Sequence, residues 1–503
     1  MTTTTLDTLT HFINGEMTTG KSDKYGYVYN PSKGEKIATV PFASVDEVDE
    51  AVQLAKKAQV SWGNTSVGKR VQVLFKFRQL MVEHTEELAE LIAKENGKTI
   101  SDAKGEIGRG IESVDLAIGA PHILKGEHSV NVGGEINAFS MKQPLGVVSC
   151  ISPFNFPIMV PLAMSVMAVA VGNAMILKPS EKVPYSALRM SELWKEAGLP
   201  EGVWNVVNGD GDTVNTILTH KDVEAISFVG STNIAKIIYE TGTKHHKRVN
   251  AFGGGKNHMI IMPDADLDMA VDSFIGSAYG AASQRCMAIS VAVPVGKETA
   301  KAFTAKLKAA VQELKPGHYE DESADFGALI SAEAKESVEQ SIDKAEKEGA
   351  NIVVDGRNPQ VENNDGFFLG ATLIDNVTPD MDIYKEEVFG PARTVVSTDT
   401  LDEAIDLINN HQYGNGVTIF TNSGKDARNF KQNIKVGMVG VNVPVPIPVG
   451  YHNFGGWKDS RFGDGQMFGP DTARFFTQTK TISERWPDEN DAKNARDFDF
   501  PTN

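Results

Sequence analysis

Cys286 lies in GAASQRCMAIS (280–290), at the end of an alanine- and glycine-rich run, and is one of only two cysteines in 503 residues. A thiolate there could attack a carbonyl carbon if a helix N-terminus, a cation or a polar pocket favours its ionised form. Arg285 is one such cation; a buried structural thiol beside a surface arginine is the alternative these residues leave open. Asn155, in SPFNFP (152–157), offers complementary chemistry. Its amide N–H, set between aromatics at the end of an apolar strand, could stabilise an oxyanion, although an apolar turn would have the same composition. In KPSE (178–181), Lys178 and Glu181 could hold ribose hydroxyls, and a carboxylate there would repel a 2′-phosphate, favouring NAD over NADP. Ser180 as a helix N-cap is the structural alternative. Gly230 and Ser231, in FVGST (228–232), come after a strand and open a helix, where a phosphate could sit. GDGDTV (209–214) has only the first two glycines of a dinucleotide fingerprint, and EEVFGP (386–391) taken alone reads as a charged loop. The eleven histidines include no HExxH pair, KHHK (244–247) reads as a solvated helix end, and no GxSxG elbow occurs, so no metal site is expected.

The elements that must carry these residues alternate. From 145 to 239, short apolar runs (GVVSCIS, AMILKP, VWNVV, VEAISFV) are separated by helical stretches at 159–171, 184–198 and 212–219. Repeated β-α-β implies a parallel sheet covered on both faces, with ligands beyond the carboxyl ends of its strands. The alternation resumes after Lys256 with HMIIM, a helix over 265–282, ISVAVPV, helices at 297–314 and 333–347, NIVV, RTVVS, LDEAIDLINN, VTIF and GMVGVNV. The fold expected is α/β: two doubly wound parallel-sheet lobes plus a small β oligomerisation arm. Residues 1–125 (read as mostly helical) and 146–255 form the NAD-binding domain, 256–455 the catalytic domain, and 126–145 with 456–503 the arm. ARFFTQTKTISERW (473–486) alternates like an exposed edge strand able to pair with another subunit.

Composition excludes other classes. A net charge of −17 argues against nucleic-acid binding. Two cysteines cannot make a disulfide framework, and the N-terminus lacks the features of a signal or transit peptide, so a cytoplasmic protein is expected. Residues 158–177 form an uncharged run of twenty, but Pro161 and Gly172-Asn173 break it into a helix and a strand, so no membrane partner is expected.

Taken in order, PFNFP, KPSE, FVGST, GGGKN, QRCMAIS and EEVFGP resemble the aldehyde dehydrogenase superfamily over nearly the whole chain. PFNFPIMVPLAM, GKNHMIIMPDAD, YGNGVTIFT and VGVNVPVPIPV resemble its CoA-acylating methylmalonate-semialdehyde dehydrogenase branch. The resemblance implies catalysis by Cys286 with Asn155 and a cofactor site of Phe154, Lys178, Glu181, Gly230, Ser231, Glu387 and Phe389. It also implies that Arg109 and Arg285 receive a substrate carboxylate; a surface Arg285, and an Arg109 paired with Glu106 or Glu112, are the alternatives. The activity implied is NAD-dependent oxidation of methylmalonate or malonate semialdehyde with CoA as cosubstrate, giving propionyl-CoA or acetyl-CoA and CO2 through a Cys286 thioester. A hydrolytic dehydrogenase releasing free acid is the rival. Most of the superfamily places a glutamate base four residues before the lysine of the GGK turn; here that lysine is Lys256 and the position is Phe252. Water needs such a base and a thiol does not. Glu386 is the substitute carboxylate considered. Ala163 and Ala235 depart from the branch's pattern, and a homodimer or homotetramer is the family expectation.

Overall fold

The computed structural model describes residues 6–362 and 365–486; the end of the expected arm, 487–503, lies outside the described residues. Five strands in the first sheet run parallel, in the order Arg248–Phe252, Val223–Val229, Val147–Ile151, Ala174–Lys178, Trp204–Val206. The chain moves one way from Val147–Ile151 through the next two strands, then crosses back to Val223–Val229 on its other side. That reversal opens a crevice beyond the ends of Val147–Ile151 and Val223–Val229, where SPFNFP and FVGST emerge.

The second sheet takes the order Asn351–Val354, Thr372–Asp375, Ala392–Val395, Ile289–Pro294, Asn257–Ile261, Gly416–Phe420, Met438–Val441, and only its first pair is antiparallel. Its apolar strands and the helices on them form a separate buried core. The α/β reading with two parallel-sheet lobes holds.

Local chemistry explains the elements. Val45–Asn64 starts with a capping box, in which the Ser44 side chain accepts from the Glu47 N–H and the Glu47 carboxylate accepts from the Ser44 N–H. Met159–Ala170 is buried nearly all round; Pro161 is its third residue and does not break it, and Gly172 (φ 104) separates it from the strand Ala174–Lys178. No helix among the described residues is long and apolar enough to cross a membrane.

Three further expectations are corrected. The reading of 1–125 as mostly helical does not extend to residues 6–41, where Asp7–Thr8, His11–Ile13, Glu16–Thr18, Tyr25–Asn30 and Glu35–Pro41 are strands, two of which extend the first sheet beside Trp204–Val206. Their Thr, Tyr and Val residues between NG and KG turns are strand and turn chemistry. The helix expected over 265–282 is Leu267–Tyr279; beyond it Ala281, Ala282 and Ser283 take left-handed φ of 53, 50 and 62. In ARFFTQTKTISERW, residues 473–475 belong to the helix Asp471–Phe475, and Thr477–Glu484 alone is the strand.

Thr477–Glu484 pairs antiparallel with Asn137–Pro144 of the same chain, beside the short His128–Ser129. Arg461–Phe462, within 456–503, instead pairs with Ala251 and Phe252 at the edge of the first sheet.

Candidate active site

The two sheets face each other by opposite ends. The first contributes the turns at the carboxyl ends of its strands: Ser152–Phe156, Pro179–Glu181, Gly230–Ser231 and Gly253–Gly255. The second contributes residues at the amino ends of its strands: Lys256 before Asn257–Ile261, Cys286 before Ile289–Pro294, Glu387 and Phe389 before Ala392–Val395, and Asn415 before Gly416–Phe420. Residues from both lobes therefore converge on one cleft, lined by Gly255, Arg285, Cys286, Glu387, Phe389 and Arg393 among others.

Asn155 is buried, and its side-chain amide donates to the Gln284 carbonyl at 2.9 Å, two residues before Cys286. The Cys286 thiol is partly buried. Burial and the nearby Glu387 charge push it up to about 12, against the pull of the Cys286 and Met287 backbone N–H groups and of Arg285. Its own carbonyl accepts from the side-chain amides of Asn257 (3.0 Å) and Asn415 (3.1 Å), which fix the peptide that carries the sulfur. Cys150 lies fully buried in its strand, where burial alone drives its thiol upward.

Glu387 accepts from the Gly255 N–H at 3.0 Å. Burial raises its carboxyl to about 7, against the pull of that N–H, Lys256 and Arg393. Lys256 is buried and donates to the carbonyls of Ile383 (2.6 Å) and Glu386 (2.7 Å); burial first, then Arg393, lowers it to about 7. Glu386 is exposed and lines the outer cavity rather than the thiol cleft. Phe252 is buried at the end of its strand, its ring 6.4 Å from that of Phe454, in the same apolar cluster against which Cys286 packs.

Phe154 meets Phe389 edge to face at 5.9 Å, so the turn after one lobe's strand touches the loop before the other's. Lys178 pairs with Glu181 at 3.1 Å. Burial pushes the Glu181 carboxyl up, but Lys178 and hydrogen bonds outweigh it and hold the group below the usual carboxylate range. Ser180 does not cap the next helix, whose N-cap position is Val183. Gly230 and Ser231 stand at the N-terminus of Thr232–Lys244, and no side chain caps it. A cavity of about 470 Å3 opens there, lined by Ser231, Thr232, Lys236, Glu387 and Tyr413.

The two arginines are already engaged. Arg109 pairs with Glu112 at 2.7 Å and donates to the Pro448 carbonyl at 2.6 Å. Arg285 lines the thiol cleft while its guanidinium holds Asp102.

Residue-type reasoning missed the supports. Lys98 donates to the Asn155 carbonyl and to Glu106, each at 2.7 Å, and Glu106 accepts from the Ile158 and Met159 N–H groups. Neither carried a signal beyond being charged within an amphipathic stretch. Asn257 and Asn415 were visible as polar residues opening apolar strands.

The family profile described as "Aldehyde dehydrogenase family" matches residues 17–482. The chain is 52% identical to a malonate-semialdehyde dehydrogenase of Pseudomonas aeruginosa over 99% of this chain and all of that protein. It is 47% identical to one of Halalkalibacterium halodurans, over 95% of this chain and 98% of the other. A Sinorhizobium meliloti 1021 protein assigned as a methylmalonate-semialdehyde dehydrogenase and solved with NAD superposes with a TM-score of 0.96 at 49% identity, covering 97% of this chain and all of the other. The methylmalonate-semialdehyde dehydrogenase of Oceanimonas doudoroffii gives 0.95, with the same identity and coverage. With a full-length relative at this identity and the family profile spanning most of its residues, the chain belongs to the aldehyde dehydrogenase family.

Proposed function

We propose that the protein oxidises malonate or methylmalonate semialdehyde with NAD and CoA, releasing CO2 and acetyl-CoA or propionyl-CoA. The carrying observation is a buried Asn155 amide held on the Gln284 carbonyl, two residues before the Cys286 thiol, with a buried phenyl ring, Phe252, at the sequence position of the family's hydrolytic base. The relatives named for these semialdehydes support the substrate class.

The first lobe's crevice fits NAD: a helix N-terminus for the diphosphate at Gly230–Ser231, and a Lys178–Glu181 pair for the adenosine ribose. Glu387 and Phe389 would hold the nicotinamide end, with Phe154 against Phe389. NAD bound there supplies the hydride acceptor. The Cys286 sulfur attacks the aldehyde carbon, and its proton must leave to a base or to solvent. The Asn155 amide turns from the Gln284 carbonyl to the new oxyanion, joined by the Cys286 backbone N–H. Loss of hydride leaves an acyl thioester on sulfur. Arg285 and Arg109 would receive the substrate carboxylate by releasing Asp102 and Glu112. A carboxylate β to the thioester carbonyl is lost as CO2, because the carbonyl delocalises the electron pair left behind; that carbon then takes a proton. CoA thiolate attacks the acyl carbon and frees Cys286. Overall, aldehyde, NAD and CoA become acyl-CoA, CO2 and NADH.

The chemistry needs a reduced thiol, which suits a cytoplasmic setting, and the arm strand suits a homodimer or homotetramer. Residues 1–125 with 146–255, 256–455, and 126–145 with 456–503 serve in this reading as cofactor, catalytic and bridging units. The test is NADH formation from each semialdehyde with and without CoA, with products identified by mass. Acyl-CoA and CO2 formed only with CoA are expected. Rapid turnover to free acid without CoA would overturn the acylating assignment and point to Glu387, which lines the thiol cleft, as a base for water.

A further inference from the structure

Arg393 is 1% exposed, in the strand Ala392–Val395, and has no part in the chemistry above. Its guanidinium serves two loops at once. Nε donates to the Ala278 carbonyl at 2.9 Å and Nη2 to the Ser283 carbonyl at 3.4 Å, on the approach to Cys286. Nη1 donates to the carbonyl of Val388 at 3.4 Å, between Glu387 and Phe389, and to that of Ala392, its neighbour in its own strand, at 3.0 Å. The approach to Cys286 resists its own geometry, because Ala281, Ala282 and Ser283 lie in the left-handed region without a glycine among them. Such a turn persists only when its surroundings hold it. The Ser283 hydroxyl, donating to the same Ala278 carbonyl, and the Arg393 fork do that. A guanidinium is costly to bury, and an apolar side chain could fill the space without that cost, though it could not tie carbonyls of two separate loops together.

We propose that Arg393 is a positioning residue that locks the Cys286 turn to the Glu387–Phe389 loop, so that nucleophile and nicotinamide-binding groups keep one register. The inference rests on the proposed function only in assigning Glu387 and Phe389 to the cofactor. It implies that the two loops act together: disturbing the turn weakens NAD binding, and disturbing the loop slows the thiol.

The experiment compares the full-length wild type with Arg393→Lys, which keeps the charge and loses the fork, and Arg393→Gln, which keeps an amide donor and loses the charge. Three quantities are read without aldehyde or CoA: NAD affinity, the rate of iodoacetamide alkylation of Cys286 with NAD bound, and the thermal midpoint. Both functional quantities are expected to fall together, by about tenfold for a sub-ångström displacement. A lower midpoint with affinity and alkylation unchanged per folded chain would overturn the proposal, because a purely stabilising role predicts that pattern. Should neither variant fold, Ser283→Ala disturbs the turn from its own side by removing the hydroxyl that holds it to the Ala278 carbonyl. NAD affinity falls with alkylation if the two loops are locked, and stays at the wild-type value if they are not. A wild type that binds NAD yet oxidises no semialdehyde would sink the substrate assignment and leave this comparison readable.

Discussion

Cys286 is held as a thiol by burial and by Glu387, and the positive charge of a nicotinamide ring bound beside it would oppose both. In the free protein, alkylation of Cys286 by iodoacetamide should therefore be slow at pH 7 and rise about tenfold per pH unit through pH 9, because thiolate is the reactive form and its fraction is far from saturation. Saturating NAD should accelerate it at fixed pH. A plateau below pH 8 without NAD would contradict the burial argument. Asn155→Ala should lower kcat about 10²–10³-fold with a much smaller change in KM, the pattern expected of the proposed role of its amide at the oxyanion and not in the ground state. Arg285→Met should raise KM about ten- to a hundredfold for a carboxylate-bearing semialdehyde, the worth of one charge-assisted hydrogen bond. An uncharged aldehyde of the same length should show little change, and equal losses for both would remove Arg285 from carboxylate recognition.

At the scale of elements, the site depends on how helix and strand ends are satisfied. The helix Pro184–Glu196 has no capping side chain of its own. Glu95, buried on the helix Thr85–Asn96, supplies the acceptor: it takes the Tyr185 N–H at 2.8 Å, the Ser186 N–H at 3.0 Å and the Ser186 hydroxyl. Burial outweighs those donors and raises the Glu95 carboxyl to about 8. The folded state therefore binds the proton more tightly than the unfolded chain. The stability this confers is complete below the ordinary glutamate range and is lost as pH rises to about 8. Glu95→Gln, neutral at every pH, should flatten the fall in thermal midpoint between pH 5 and 8 that the wild type shows. An unchanged slope would assign the pH dependence to other groups.

For the whole molecule, the arm is the exposed piece. Thr477–Glu484 is the outer strand of its three-stranded sheet, so one side of its backbone has no partner in this sheet, and five of its eight residues are exposed. An edge of that length is a template for another chain. A stop after Phe476 should lower the mass seen by sedimentation while NAD binding per folded chain persists, because the crevice draws on neither strand of the arm's main pair. An unchanged mass would move the subunit contact elsewhere.

Much was legible in the residues alone, and for physical reasons. The β-α-β alternation is a local pattern of buried strands and half-buried helices, so the two lobes and most strands between 145 and 441 could be read directly. The motif residues were legible because each sits at a strand end, where residue type is dictated by the ligand or loop the backbone must approach. Other features were decided by the tertiary structure. The N-terminal strands were not legible because short strands gain their stability from the sheet edge they join and not from their own sequence. Asn155 meets Gln284 across 129 residues of chain, and only the facing of two sheets brings that about. Likewise, Lys98, Glu106, Asn257, Asn415 and Arg393 acquire their roles from burial against particular carbonyls and carboxylates. No sequence pattern encodes this, because hydrogen-bond partners distant in the chain are chosen by packing.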